Sequence, residues 1–285
     1  ALAMGLPLVA TRCGGPEDIV TSANGVLVDP GDLQSLADAI RGKADAQCAL
    51  DLDEAAIDSY RSASTIYESN DLLTLAGICL LDAGEVQGSM GHQSEALKTF
   101  EQALELFRKG RDPIGSGRAH DRIAAALIDL GEIEEAIGHL REALNIFDFI
   151  QDFPRIAYAQ YRLGWTLNLN TDYEYAVPLL EAAIEKYKAD RNFRGAADAQ
   201  VQLAQAHWEL GNGDLSNNLS AQARSYYESI GQSKEACLID VNLAGHLPPE
   251  QAVPMLERAI ATAEAEEFGW IARGARVRLS ENIIR

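Results

Sequence analysis

Six side chains recur at one position of a regular spacing. Asp82, Arg122, Arg162, Gln202 and Asn242 stand forty residues apart, and Arg278 follows after thirty-six. Arg presents a planar fork of donors that matches a carboxylate, and Asn and Gln amides can bond both edges of an extended peptide backbone. Close to Arg162 in sequence, Tyr158, Tyr161 and Trp165 add rigid apolar area of the kind that dominates binding energies. In a chain with a formal net charge of −19, this row is chemistry for holding an acidic peptide-like group. The plainer alternative is that Arg122 pairs with Asp121 or Asp129 and that polar residues line a surface because it is wet.

Catalytic spacing is missing. The histidines, His92, His120, His139, His207 and His246, are scattered, with no His-Glu-x-x-His pair, no Gly-x-Ser-x-Gly elbow and no phosphate loop. Carboxylate pairs such as Glu134-Glu135 and Glu266-Glu267 fall on expected exposed helix faces. Cys13, Cys48, Cys79 and Cys237 are scattered, with no Cys-x-x-Cys pair and no tight cluster with His. That spacing suits neither a disulfide framework nor a structural zinc site, so buried reduced thiols in a cytoplasmic protein are expected. Neither a metal nor a cofactor is expected. The acidic charge argues against nucleic acid and anionic membrane as partners. No stretch approaches the apolar length of a membrane span, and no charged-then-apolar leader stands at the start. The chain begins on Ala rather than Met, which implies processing, excision or truncation.

The elements that must position the row repeat with it. Ala63, Ala103, Ala143, Ala183 and Ala223 stand forty apart, each preceded by seven residues by Ala56, Ala96, Ala136, Ala176 or Ser216. Four residues after them come Tyr67, Phe107, Phe147, Tyr187 and Tyr227. Steps of seven and four share one helix face, where the small residues admit a second helix and the aromatic fills the wider end. A shorter last unit has Ala252, Ala259 and then Ala263 in place of the aromatic. A second set pairs a large with a small residue: Ile123-Ala124, Leu163-Gly164, Leu203-Ala204 and Leu243-Ala244. Gly91, Gly131 and Gly211 fall between the two helices of their units, where a left-handed stop favours glycine. Pro178 and Pro254, early in second helices, are expected to kink them locally. The unit is helix, tight turn, helix, loop.

This pattern resembles the tetratricopeptide repeat family over about residues 42–285, and "YRLGWTLNLNTDYEYAVPLLEAAIEKY" is its best single copy. A period of forty exceeds the family's usual thirty-four, and the frequent Pro closing the second helix is absent. The resemblance implies a mainly α fold: a right-handed superhelix of about six helix pairs and a final helix. It also implies that first helices line a concave groove. By register the groove then holds Arg118, Arg122, Tyr158, Tyr161, Arg162, Trp165, Asn168, Gln202, Gln205, Asn242 and Arg278, with His120 and His207 as further candidates. The expected function is protein or peptide binding, as an adaptor or regulatory scaffold, for an extended or helical segment bearing acidic groups. Self-association through the convex face or an end repeat is a further alternative.

Residues 1–41 read differently. "LPLVAT" and "NGVLVDP" are strand-like, "GGPEDIV" is a turn and helix start, and "GDLQSLADAI" opens a helix with Asp32 as its cap. This β-α-β-α segment resembles the carboxyl-terminal part of the donor lobe in retaining glycosyltransferases with two Rossmann-like lobes, the large family that includes sucrose-phosphate synthases. The matching elements are A-M-G-L-P-L-V-A-T, G-G-P-x-D-I-V, N-G-x-L-V-D-P and the L-A-D-A-I helix. By register the family's acidic pair for the donor precedes Ala1, so no donor-binding residue is carried over. The alternative function is thus the end of a glycosyltransferase fused to a repeat tail, inactive by itself.

Overall fold

The computed structural model describes residues 8–12, 20, 25–245 and 247–284. The expected helix start in "GGPEDIV" lies outside them apart from Val20, as do Cys13 and His246. Two short strands, β1 (Leu8–Thr11) and β2 (Gly25–Val28), pair in parallel with Leu8 opposite Gly25 and Thr11 opposite Val28. Thirteen α-helices follow among the described residues. They form six pairs and a last single helix: α1 (Leu33–Cys48) with α2 (Asp53–Ser69), α3 (Leu73–Ser89) with α4 (Gln93–Lys109), and α5 (Pro113–Leu130) with α6 (Ile133–Phe149). Then come α7 (Phe153–Leu169) with α8 (Tyr173–Ala189), α9 (Phe193–Glu209) with α10 (Gly213–Ser229), α11 (Ser233–Ala244) with α12 (Pro249–Ala265), and α13 (Gly269–Ile284). The chain divides into two compact units, Ala1–Gln151 and Asp152–Arg285.

In the first unit β1 and β2 rest on α1, and each helix from α1 to α6 packs on the next. Asp32 caps α1 by accepting from the Ser35 backbone N–H at 3.0 Å, as its position requires. α1 therefore closes the β-strand segment and opens the helix pairs. In the second unit the same succession runs from α7 to α13, with α7 also on α9 and α11 also on α13. α8 and α12 remain continuous helices through Pro178 and Pro254.

The small and aromatic positions form the core. Every Ala of the two seven-spaced series is at most 1% exposed, Ser216 is 2% exposed, and all five aromatics are buried. A ring from the second helix needs space on its neighbour. Phe107 lies against Gly77 of its own pair and Gly115 of the next; a Cβ on Gly77 would stand 2.8 Å from the ring. Phe147 meets Gly117 in the same way, and Leu180 meets Gly164, where a Cβ would lie 2.6 Å from Leu180 Cγ. Truncating such an aromatic to Ala costs about 3–5 kcal/mol, more than any single surface contact here can return.

The turns repeat at half the period. Residues with left-handed φ stand at 51, 71, 91, 111, 131, 151, 171, 191, 211 and 231, twenty apart. Glycines occupy positions 91, 131, 211 and 231, as the stop requires. Asp51, Asp71, Arg111, Gln151, Thr171 and Arg191 adopt the same conformation without being glycine. At the turns of Asp51, Asp71, Arg111, Thr171 and Arg191 a closing hydrogen bond holds this conformation, such as Leu72 N–H to Tyr67 O at 2.9 Å and Asp172 N–H to Leu167 O at 2.9 Å. Thr171 is the costliest occupant, because a β-branched side chain crowds its backbone at φ 64°. Thr171→Gly is expected to raise stability by about 1 kcal/mol, read as a higher urea midpoint. A lowered midpoint contradicts this account of the turn.

Candidate functional site

The expected binding residues fall into two sets, one on each unit. In the first unit Arg118 is exposed on α5. Arg122 is half-buried and its Nε donates to Glu85 of α3 at 2.7 Å, with Asp121 3.7 Å from its Nη1. One helix pair earlier, Arg41 of α1 binds Asp82 of α3 at 3.0 Å, reaching forward along the chain where Arg122 reaches back. The acidic end of the sequence row is thus answered inside the protein, between neighbouring first helices. Arg41–Asp82 is partly buried, whereas Arg122–Glu85 is an exposed pair of the kind that contributes roughly 0–1 kcal/mol.

The second unit carries the larger set. On α7, Tyr158, Arg162 and Trp165 follow helical spacing, and the Arg162 guanidinium lies over both rings, 6.0 Å from Tyr158 and 5.4 Å from Trp165. Such stacking is worth about 0.5–2 kcal/mol and fixes the direction of a long side chain. Tyr161 is half-buried, and burial first, then Asp198, push its phenol above the ordinary range, so it stays protonated as a donor. Asn168 is only 3% exposed, and its amide donates to the Gln202 carbonyl at 2.9 Å. Its place is beneath the surface, tying α7 to α9.

Beyond Asn168 a pocket of ≈ 270 Å³ opens between α9 and α11, over α10. Gln202, Gln205, Asn242 and Arg278 all line it, so four residues that the row and register place together do meet. The Gln202 Oε1 is buried with no hydrogen-bond partner. Arg278 reaches in from α13 by passing over Gly245, where a Cβ would strike its Nη1. The apolar walls are Val201, Ala204, Ile239 and Leu243, and Glu209 of α9 with Ser216 and Ser220 of α10 complete the lining. Sequence reading by register missed Ser220 and Glu209. Ser220 had a signal: it interrupts the series Phe100, Leu140, Leu180.

The two histidine candidates for the groove lie elsewhere. His120 is 4% exposed, with its Nδ1 2.9 Å from Nδ1 of His139 on α6, and Arg108 Nη2 lies 3.5 Å from its Nε2. His207 is 8% exposed, beside Asn212. Cys48, Cys79 and Cys237 are free thiols, and among the described residues no cluster of three His, Cys, Asp or Glu could hold a metal ion. None of the described helices is long and apolar enough to cross a membrane.

Residues 158–189, spanning most of α7 and all of α8, match the family model for the tetratricopeptide repeat. The structure also superimposes on the apo form of RapI with a TM-score of 0.70 at 14% identity, covering 87% of this chain and 96% of that one. The fold is a tetratricopeptide-repeat array. A Rap protein complexed with Competence and Sporulation Factor matches this array with a TM-score of 0.55 at 18% identity, over 88% of this chain and 77% of the other. Ahead of the array, residues 1–43 match the model for group 1 glycosyl transferases. There the chain is 61% identical to sucrose-phosphate synthase 4 of Arabidopsis thaliana over 41 residues, which are 14% of this chain and 4% of that protein.

The histidine pair makes the array's stability depend on pH. Burial first, then His139 and Arg108, lower His120 to about 4, and burial also lowers His139, against Glu101, Glu135 and Glu142, which raise it. Both groups bind protons more readily when unfolded, near pH 6.5, than when folded. Their contribution is fully present above that pH and is lost as pH falls toward 4. The thermal midpoint is expected to drop between pH 7 and 4.5 by more in the native chain than in His120→Gln. Equal drops contradict the sign.

Proposed function

We propose that this chain is a protein-binding module that holds a peptide segment bearing acidic groups along the first helices of the second unit. The observation that carries this reading is the pocket that gathers Gln202, Gln205, Asn242 and Arg278, with the stacked Arg162 of α7 earlier on the same unit. Two Gln and one Asn can satisfy a peptide's N–H and C=O groups, and Arg278 and Arg162 can take its carboxylates. Tyr158, Tyr161 and Trp165 supply anchoring area, and Asn168 holds α9 in place beneath them. Arg118 and Arg122 are candidate contacts on the first unit, where Arg122 exchanges Glu85 for a ligand carboxylate only at a cost. The net charge of −19 repels an acidic partner at long range, so selection rests on contacts inside a Debye length of about 8 Å. The likeness to a Rap protein complexed with a factor supports this reading at the level of fold.

A second reading is favoured by one specific observation, the 61% identity of the opening segment to a sucrose-phosphate synthase. On it, residues 1–41 are the end of a nucleotide-sugar lobe, and residues from 42 onward are a repeat tail carried by a transferase, inactive alone. β1, β2 and α1 have the parallel strand and helix order such a lobe needs. An in-frame nucleotide-sugar domain in the coding sequence before Ala1 supports it; a start codon close by contradicts it. We propose a cytoplasmic site for the chain; the free thiols of Cys48, Cys79 and Cys237 are in keeping with a reducing compartment.

The binding reading is tested with Arg162→Glu. Against a purified partner, the variant is expected to weaken Kd by about tenfold or more, with the far-ultraviolet spectrum unchanged. An unchanged Kd contradicts the placement.

A further inference from the structure

The pocket of the second unit exists because one repeat breaks its own pattern. Four residues after the first small residue of each second helix stand Tyr60, Phe100, Leu140, Leu180 and Leu256, all buried, but the fifth pair has Ser220. In the preceding pair Leu180 rests on Gly164. The corresponding residues are Ala204 and Ser220, and both line the pocket. An alanine at the first position does not forbid a leucine at the second, because Ala124 with Leu140 and Ala244 with Leu256 hold the matching positions of other pairs, all four buried. The space is a missing side chain rather than a loosened helix.

We infer that this pocket takes one aliphatic side chain of leucine or methionine size from the bound peptide, with a carboxylate next to it against Arg278. The inference rests on the binding reading above and names what it selects. Val201, Ala204, Ile239 and Leu243 offer the walls that a repeat's own leucine finds elsewhere. Gln202 lines the same pocket and supplies an acceptor for a peptide N–H once its amide turns toward the opening, since its Oε1 lies buried without a hydrogen-bond partner. An unpartnered buried carbonyl is costly, and a peptide amide relieves that cost where an apolar plug alone does not. Glu209, at the C-terminal end of α9, disfavours a carboxylate at its own end of the pocket, which leaves Arg278 as the acid's place.

The test uses the whole chain and a defined probe. Random dodecapeptides displayed on phage are selected on it, and the enriched ones are synthesised and titrated. Enriched peptides are expected to share one aliphatic position beside an Asp or Glu. Replacing that aliphatic residue by Ser weakens Kd by about tenfold or more. Ser220→Leu, which restores the repeat's own residue, weakens Kd by a similar factor and raises the thermal midpoint. The peptide change and the protein change together cost little more than either alone, since both empty one site of its guest. The scan of the peptide on the native chain stands even if Ser220→Leu folds poorly. Peptides that lose affinity on Arg162→Glu but not on Ser220→Leu, and that tolerate Ser at every aliphatic position, overturn this inference and leave the binding surface standing. No enrichment, or binding indifferent to both substitutions, removes the binding reading and this inference with it.

Discussion

A ring on a second helix can seat against a first helix only where that helix offers no Cβ, or a single methyl. Phe107 between Gly77 and Gly115, and Phe147 against Gly117, show how little room there is. Each such seat sets the distance between two helices, and the twenty-residue step then sets where the next helix begins. Burial of small residues lets backbones approach; burial of rings makes the approach worth its loss of chain entropy. The surface of the first helices is a by-product of this packing. Its side chains are free to vary because the core asks nothing of them.

Much of this was legible beforehand. Forty-residue spacing of Ala, aromatic and Leu-small positions announced the helix pairs, and their burial follows the register residue by residue. Asp32 as a cap and Gly91, Gly131 and Gly211 as left-handed stops follow from local chemistry. The remaining turns did not announce themselves. Arg111 and Thr171 are poor residues for a positive φ, and only a turn over-determined by its neighbours holds them there.

The candidate site was legible in position and less so in partnership. Register alone put Arg122 in a row with Arg162 and Gln202, yet Arg122 is answered by Glu85, thirty-seven residues earlier on a neighbouring helix. Asn168 sits at a groove spacing but turns inward to the Gln202 carbonyl. His120 likewise turns inward to His139. Periodicity states which face a residue occupies; it does not state which rotamer a nearby carbonyl or carboxylate will capture. Ser220 is the opposite case, a polar residue in an apolar series whose meaning appears only as an opening in the packing.

The central claim is that recognition belongs to the first helices of the second unit. Amide hydrogen exchange of the whole chain, with and without a saturating selected peptide, tests it most directly. The account predicts slowed exchange on the α9, α11 and α13 segments that carry Gln202, Asn242 and Arg278, with α8 and α12 unchanged. Protection confined to the second helices α8, α10 and α12 would contradict it.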